Sequence, residues 1–397
     1  LKLLKSHIHK EVRSLYEELV SIRRHLHANP ELSFKEKNTS AFIRQILDRE
    51  GISYTSGYCK YGIVADIRGK KKQKTIYLRG DMDALPIQEV PGRTYGSNVK
   101  GVMHACGHDV HTTCVLGSAI ILNRLKSHIN GTIKIIFQPG EEKLPGGASL
   151  MIKEGAVTTD GSSFIYGQHV HPPLETGMVG FRPGQYMASA DELFIKVRGK
   201  GGHAALPQDC IDTVLVGSEI VTSLHQLVSR YSSPMVPTVL SIGKIQSLGG
   251  ATNIIPDELE MAGTLRSMDE SNRKKMHTMI RQVVKNKAAA YGASAKVQIK
   301  YGYPSLLNDE ELVERSMDYA REYLGSKNVV LLDKRMTSED FAYYSQLMPA
   351  CFYRLGTGNR KKGIKAPVHT AEFDIDETAL KVGVGLMSYM ALRESQL

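Results

Sequence analysis

Nowhere in its 397 residues does the chain carry an apolar run of the roughly 18 residues that a membrane helix needs. Its first twenty residues hold basic groups but neither a continuous apolar segment nor a small-residue cleavage site, so they do not read as a secretory signal. Cysteine is scarce. The five present (Cys59, Cys106, Cys114, Cys210 and Cys351) are odd in number and widely scattered, which argues against a disulfide framework and fits a reduced, cytoplasmic chain. Tryptophan is absent, and no basic stretch is interleaved with aromatics. The net charge of +10 is dispersed, and the short runs Lys70–Lys72 and Arg360–Lys362 adjoin glycines and read as solvated turns. Neither nucleic acid nor membrane is expected as a partner. Repeats and low-complexity segments are lacking too.

What remains is globular material, 42% hydrophobic and 23% charged, in a length that suggests about two domains. Leu4, Ile8, Val12, Leu15 and Leu19 share one face of an N-terminal amphipathic helix. Three stretches then repeat one design, an apolar run followed at once by polar, charged or glycine residues. Thr75–Leu78 leads into Gly80–Asp83, Thr132–Phe137 into Gln138–Glu142, and Phe164–Tyr166 into Gly167–His169, with His169 at the strand end. Helices are expected between them over His111–Leu125 and Gly147–Glu154. Buried strands alternating with helices predict an α/β layered domain with a mixed, largely parallel sheet and a site at the carboxyl ends of its strands.

From about Gly184 the pattern changes. Strands are expected at Leu193–Val197, Thr238–Ile245, Glu258–Arg266 and Ala295–Lys300, with helices at Ile211–Val228 and at Ser271–Ala290, the latter capped by Ser271. The order βαββαβ predicts a small ferredoxin-like two-layer domain. Residues 1–184 and 305–397 would then form one domain, interrupted by 185–304. Within the second segment Leu312–Leu324 reads as helix and Ala350–Leu355 as buried strand.

The chemistry concentrates between Met103 and Thr112, where His104, Cys106, His108, Asp109 and His111 offer five possible metal ligands within eight residues. Imidazole, thiolate and carboxylate are the groups that hold first-row divalent cations, and they are costly to bury without a partner. A polar helix start or a closed structural zinc site would also account for the cluster. Glu141–Glu142 is the second signal: adjacent carboxylates repel and are best tolerated beside a cation, where one binds and the other can accept a proton from water. Standing alone, such a pair is more often an exposed acidic turn. His169 and His171 share an orientation on an extended segment, and His169 is the better ligand. His369 lies in a polar loop.

Four motifs occur in order: Gly80-Asp81-Met82-Asp83-Ala84-Leu85-Pro86, Met103-His104-Ala105-Cys106-Gly107-His108-Asp109, Gln138-Pro139-Gly140-Glu141-Glu142 and Val368-His369-Thr370-Ala371-Glu372-Phe373. Together they resemble the M20 metallopeptidase family, in its aminoacylase and hippurate hydrolase branch, over essentially His25 to Leu380. The resemblance implies a two-metal amidohydrolase that cleaves N-acyl-L-amino acids of N-acetyl or N-benzoyl type. Cys106 would bridge the metals, His108 and His169 completing one and Glu142 and His369 the other. Manganese or zinc is expected, while nickel or cobalt also suits a mixed N/O/S donor set.

Glu141 would be the general base, and Asp83 would orient a ligand imidazole. The typical peptidases of the family have histidine where this chain has Asp81 and aspartate where it has Cys106, so Asp81 is not expected to be a ligand. Ala371 replaces a proline frequent in the branch, which leaves His369 in place.

The inserted domain would act as lid and dimerisation domain. In Gly199–Ala205, His203 would stabilise the oxyanion in the neighbouring subunit's site, while Asn253 and Arg266 would hold substrate. A flexible hairpin with an exposed histidine, and a structural salt bridge at Arg266, are the plainer alternatives. A dipeptidase or aminopeptidase of the same fold, or a non-catalytic scaffold, are the rival functions. His104 and His111 are expected to support the site, His25 and His27 to be packing or surface residues, and the other cysteines to behave as small hydrophobes.

Overall fold

The structure, a computed structural model, describes residues 2–70, 74–159 and 161–397; Lys71 and Lys72 of the first basic run lie outside the described residues. The chain divides into two compact units, one of Leu1–Gly184, Leu307–Asp333 and Asp340–Leu397, the other of Gln185–Leu306 and Lys334–Glu339. The second unit therefore begins near the expected boundary but also recruits a short stretch from beyond it. Backbone bonds explain why: Arg335 N–H donates to Tyr186 O (2.9 Å) and Ala188 N–H to Thr337 O (3.1 Å).

In chain order the first unit opens with α1 (Lys2–Ala28), α2 (Lys37–Arg49), β1 (Ser53–Tyr58), β2 (Gly62–Arg68), β3 (Thr75–Asp81), α3 (His108–Arg124), β4 (Thr132–Gln138), α4 (Gly147–Lys153), β5 (Phe164–Glu175) and β6 (Val179–Phe181). The chain then passes through β7 (Gly184–Met187) into β8 (Asp191–Arg198), β9 (Gly202–His203), α5 (Thr213–Tyr231), β10 (Thr238–Leu248), β11 (Ile254–Ile255), β12 (Glu258–Ser267), α6 (Glu270–Ala290) and β13 (Ser294–Tyr301). It returns by β14 (Leu306–Asn308) to α7 (Glu310–Leu324), β15 (Val329–Leu331), α8 (Ala342–Ser345), β16 (Ala350–Gly358) and α9 (Ala379–Ser395).

The first unit's sheet runs β1-β2-β4-β3-β5-β16-β6-β15. Its centre, β4-β3-β5-β16, is parallel throughout, and β1, β2 and β6 pair antiparallel with their inner neighbours. The sheet is thus mixed and largely parallel. The expected face of α1 is buried, Leu4 through Leu19 included. Helix α3 is buried on every side from His108 to Leu122, as a helix held between layers must be. Gly117 makes that packing close: a Cβ there would lie 2.6 Å from Leu19 Cδ2 and 2.9 Å from Val384 Cγ2.

Strand β5 does not stop at His169 but continues to Glu175 alongside β16. Pro172 and Pro173 are tolerated because the register slips between Gly356 and Gly358, opposite them.

The second unit's sheet, β10-β12-β8-β13, is antiparallel, and with α5 and α6 it has the ferredoxin-like order. Along β8, Leu193, Ile195 and Val197 point into a core shared with both helices, while Glu192, Phe194, Lys196 and Arg198 face outward. Helix α6 starts one residue before the expected Ser271. Its cap is Asp269, whose carboxylate accepts the Asn272 N–H at 2.7 Å.

Candidate metal centre

The ligand-rich stretch is where the chain turns from loop into α3. Gly107 supplies the turn with φ 80°, and a side chain there would meet Val170, whose Cγ2 lies 2.6 Å from an added Cβ. Cys106 is thereby left just before the helix, and His108 becomes its first residue.

Asp83, beyond the carboxyl end of β3, organises what faces them. Its Oδ1 lies 3.2 Å from His108 Nδ1 and accepts the Glu141 N–H at 3.0 Å. Its Oδ2 accepts the Glu142 N–H at 3.0 Å and the Ser33 hydroxyl at 2.6 Å. One buried carboxylate therefore fixes a histidine and both members of the acidic pair. Burial alone would raise its pKa, but the bonds from His108, Ser33 and the Glu142 amide outweigh it and hold the group below its ordinary value.

An ionised carboxylate only accepts, so His108 carries a proton on Nδ1, and in the neutral ring that a cation requires its Nε2 is the lone pair. His169 is arranged likewise, with Nδ1 donating to Val170 O at 2.8 Å and Nε2 lying 3.5 Å from Cys106 Sγ. His369 comes from the loop after β16. Its N–H donates to Ala105 O at 2.8 Å, and its φ of 64° is a left-handed conformation unusual for a side-chain-bearing residue. Its Nε2 lies 3.3 Å from Cys106 Sγ and 3.2 Å from Glu142 Oε1.

Two donor sets result, Cys106/His108/His169 and Cys106/Glu142/His369, each with its ligand atoms within 4.8 Å of one another. Cys106 is common to both. His108 Nε2 is buried without a hydrogen-bond partner and lies 4.0 Å from Glu142 Oε1, whose nearest cation is the His369 ring. Burial pushes the Cys106 thiol pKa up, and Glu142 adds to the rise. His369 is driven to about 10 by its bonds to Cys106 and Glu142. Protons on imidazoles thus offset the anions here. Divalent cations are the groups that would use the unpartnered His108 nitrogen and replace those protons, so the donor set fits them.

A third set, Asp81/His108/His111, is also close enough to hold a cation. Its Asp81 and His111 are already satisfied by other partners. Asp81 accepts from Arg79 at 2.6 Å and lies 2.6 Å from His111 Nδ1, while His111 Nε2 accepts the Val170 N–H at 2.9 Å, leaving no lone pair on that ring. Asp109 points elsewhere, to Arg23 at 2.9 Å and His27 at 2.8 Å. His27, expected as a packing or surface residue, is fully buried in this ion network and also lies 3.3 Å from Glu89 Oε1. His104 is buried with both ring nitrogens unpartnered, and burial lowers its pKa to about 4.

Glu141 is buried beside the two donor sets, and its Oε1 accepts the Asp340 N–H at 3.4 Å. Asp340 belongs to a network that the motifs did not reveal. It accepts from Arg79 (2.6 Å), Gln138 Nε2 (2.8 Å) and the Ala148 N–H (2.9 Å). Arg79, one residue before Gly80, was the available clue: a cation within a buried strand needs an anion. Glu36 was also missed. It accepts the Gly140 N–H at 2.8 Å, and burial together with nearby Asp83 raises its pKa to about 7.

His203, Asn253 and Arg266 belong to the second unit. Strand β9 pairs His203 with Ile254 of β11, and the Ala204 N–H donates to Asn253 O at 3.0 Å, so the two loops are joined rather than free. His203 is exposed, and its Nδ1 accepts the Ala205 N–H at 3.1 Å, which puts the proton of the neutral ring on Nε2. Arg266, near the end of β12, donates to Ser338 Oγ at 3.2 Å and makes no ion pair among the described residues. The salt bridge that the sequence left open is not formed among the described residues.

The comparisons with known proteins agree in kind. A family model described as peptidase family M20/M25/M40 matches residues 77–393. The chain is 38% identical over 388 residues to thermostable carboxypeptidase 2 of Saccharolobus solfataricus, covering 97% of each. It is 40% identical over 307 residues to an N-acyl-L-amino acid amidohydrolase of Geobacillus stearothermophilus, covering 77% of this chain and 82% of that one. Among solved structures, a dinuclear metal-binding peptidase of the M20 family from Bacillus subtilis superposes with a TM-score of 0.83 at 34% identity, covering 96% of this chain and 98% of that one.

Proposed function

The chain belongs to peptidase family M20/M25/M40, and we propose that it is a two-metal amidohydrolase releasing free amino acids from N-acyl-L-amino acids of N-acetyl or N-benzoyl type. The observation that carries this is the pair of donor sets sharing Cys106, with Glu141 beside them. Cys106 would be common to both cations, with His108 and His169 on one and Glu142 and His369 on the other. When bound, divalent cations make water acidic near neutral pH and polarise an amide carbonyl. Manganese or zinc is the proposed occupant, and nickel or cobalt also suits these donors.

Glu141 takes the proton from the attacking water and returns it to the leaving nitrogen, so one carboxylate serves as base and then acid. His203, protonated on Nε2, donates to the oxyanion. Arg266, a guanidinium without an acidic partner, receives the substrate's α-carboxylate, and Asn253 helps to hold the substrate. A carboxypeptidase and an N-acyl-amino-acid amidohydrolase share one bond type, an amide whose nitrogen belongs to a residue with a free carboxylate. That common chemistry favours recognition of a carboxylate over recognition of the free α-amine that an aminopeptidase needs.

The second unit serves as lid and dimerisation unit, with His203 acting on the partner subunit's site. Five free cysteines suit a reducing, cytoplasmic location. Among the described residues no helix is long and apolar enough to cross a membrane.

Purified, metal-analysed protein should hydrolyse N-acetyl- and N-benzoyl-amino acids in a chelator-sensitive manner, and faster than it hydrolyses unblocked dipeptides. Faster turnover of the unblocked dipeptide would overturn the assignment in favour of an aminopeptidase, and no metal-dependent turnover of either would favour a scaffold.

A further inference from the structure

A cleft of about 630 Å³ opens on the first unit between α1, the end of α7 and the start of α9. None of the residues around it belongs to the metal centre. Its floor is aromatic and apolar: the His9 ring stacks on Tyr323 with centroids 4.4 Å apart and planes 13° from parallel, backed by buried Val12. Its rim is cationic. Lys5, Arg13 and Lys381 all line it, and none makes an ion pair among the described residues.

Each cation is held by something other than an acid. Lys5 donates to the Glu322 backbone carbonyl at 2.6 Å, Arg13 to that of His9 at 3.2 Å, and Lys381 lies 3.9 Å from the centroid of the Tyr16 ring. The surrounding surface behaves differently: Arg24, Arg49, Arg124 and Arg393 on neighbouring helices and loops all have carboxylate partners. Burial lowers the His9 pKa, and Lys5 and Arg13 lower it further, so the charges converge on the cleft and the ring at its floor stays neutral. Three unneutralised cations around a flat aromatic floor form a receptor for negative charge carried on an apolar body.

We infer that this cleft binds a small organic anion with a planar apolar body, its charge met by Lys5, Arg13 and Lys381 and its body resting against the half-buried His9 ring that covers Tyr323. Carboxylate and phosphate head groups both satisfy that chemistry. The site does not depend on the proposed hydrolytic activity.

The test is calorimetric titration of the metal-loaded enzyme with benzoate, phenyl phosphate and inorganic phosphate, on the wild type and on the double variant Arg13→Ala/Lys381→Ala. Both substituted side chains lie at the surface or partly so and outside the metal centre, and hydrolysis by the variant serves as the check on its fold. One of the two aromatic anions should bind with a stoichiometry of one per chain and weaken at least tenfold in the double variant; which of them binds identifies the head group. Unchanged affinity in the variant would place the ligand elsewhere, the metal centre included, and would overturn the inference. Inorganic phosphate binding as tightly as either aromatic anion, or no saturable binding by any of the three, would also overturn it.

Discussion

Replacing Asp83 by asparagine tests whether one carboxylate holds the site together. Asp83 accepts four hydrogen bonds, two on each oxygen. Asparagine keeps one acceptor oxygen. If that oxygen stays on the Oδ1 side, it still serves His108 and the Glu141 amide, now without a full charge. On the other side an NH2 group meets the Ser33 hydroxyl, which can rotate to accept, and the Glu142 N–H, which cannot.

One partly buried amide therefore loses its acceptor, at a cost of about 1–3 kcal/mol in stability. Weakened support of a ligand histidine typically lowers metal affinity about 10–100-fold, equivalent to about 1.4–2.8 kcal/mol. The two losses are similar in size but separable by assay. Urea unfolding of the metal-free protein reads the first, and competition for the cation against a chelator of known affinity reads the second. Wild-type values in both measurements would refute the role given to Asp83.

Glu141→Gln should reduce turnover by about 10²–10⁴-fold while metal content, measured by elemental analysis, stays at the wild-type level; metal loss would instead make Glu141 a ligand. His203→Ala should lower kcat by about 10²–10³-fold with little change in metal content. If His203 serves the partner subunit, mixing it with Glu141→Gln protein should restore part of the activity.

In the metal-free protein the His369 pKa is raised from 6.5 to about 10, so its stabilising contribution is complete below pH 6.5 and is lost as pH rises through about 10. Unfolding midpoints of the chelated protein should fall over that window, and less steeply in His369→Ala. Because the ring must be neutral to bind a cation, loading the metal at pH 8 should release protons, detectable by calorimetry in buffers of different ionisation enthalpy.

Much of this was legible in the sequence, where chemistry leaves a local mark. The apolar runs of β3, β4 and β5, each followed by polar residues, announced the parallel centre of the sheet, and βαββαβ announced the second unit. Strands β1 and β2 went unread. Ser53–Tyr58 is polar and largely exposed, so alternation gave no signal, and β2 becomes a strand through its pairing with β4. The extent of β5 past two prolines depends on the register of β16, almost 200 residues away in sequence.

At the site, residue type and clustering picked out Cys106, His108, Glu141 and Glu142 as candidates. Nothing local marked Ser33, Glu36 or Asp340, because each works by meeting groups far along the chain. His27 is buried, which the expectation of a packing residue allowed, but its ionic setting makes sense only once Asp109 and Glu89 are beside it.

The arrangement of the chain has a consequence for how the site is made. Cys106, His108, Glu142 and His169 all precede the second unit, whereas His369 follows it, about 200 residues after His169. At ordinary rates of synthesis, 5–20 residues per second, that interval lasts roughly 10–40 s. During it both donor sets stay incomplete, because His369 is missing from one and the β5 segment around His169 lacks β16, its partner strand. A site of the proposed kind could therefore be completed only after the second unit has been made, when the chain returns through β16 and the loop that follows it.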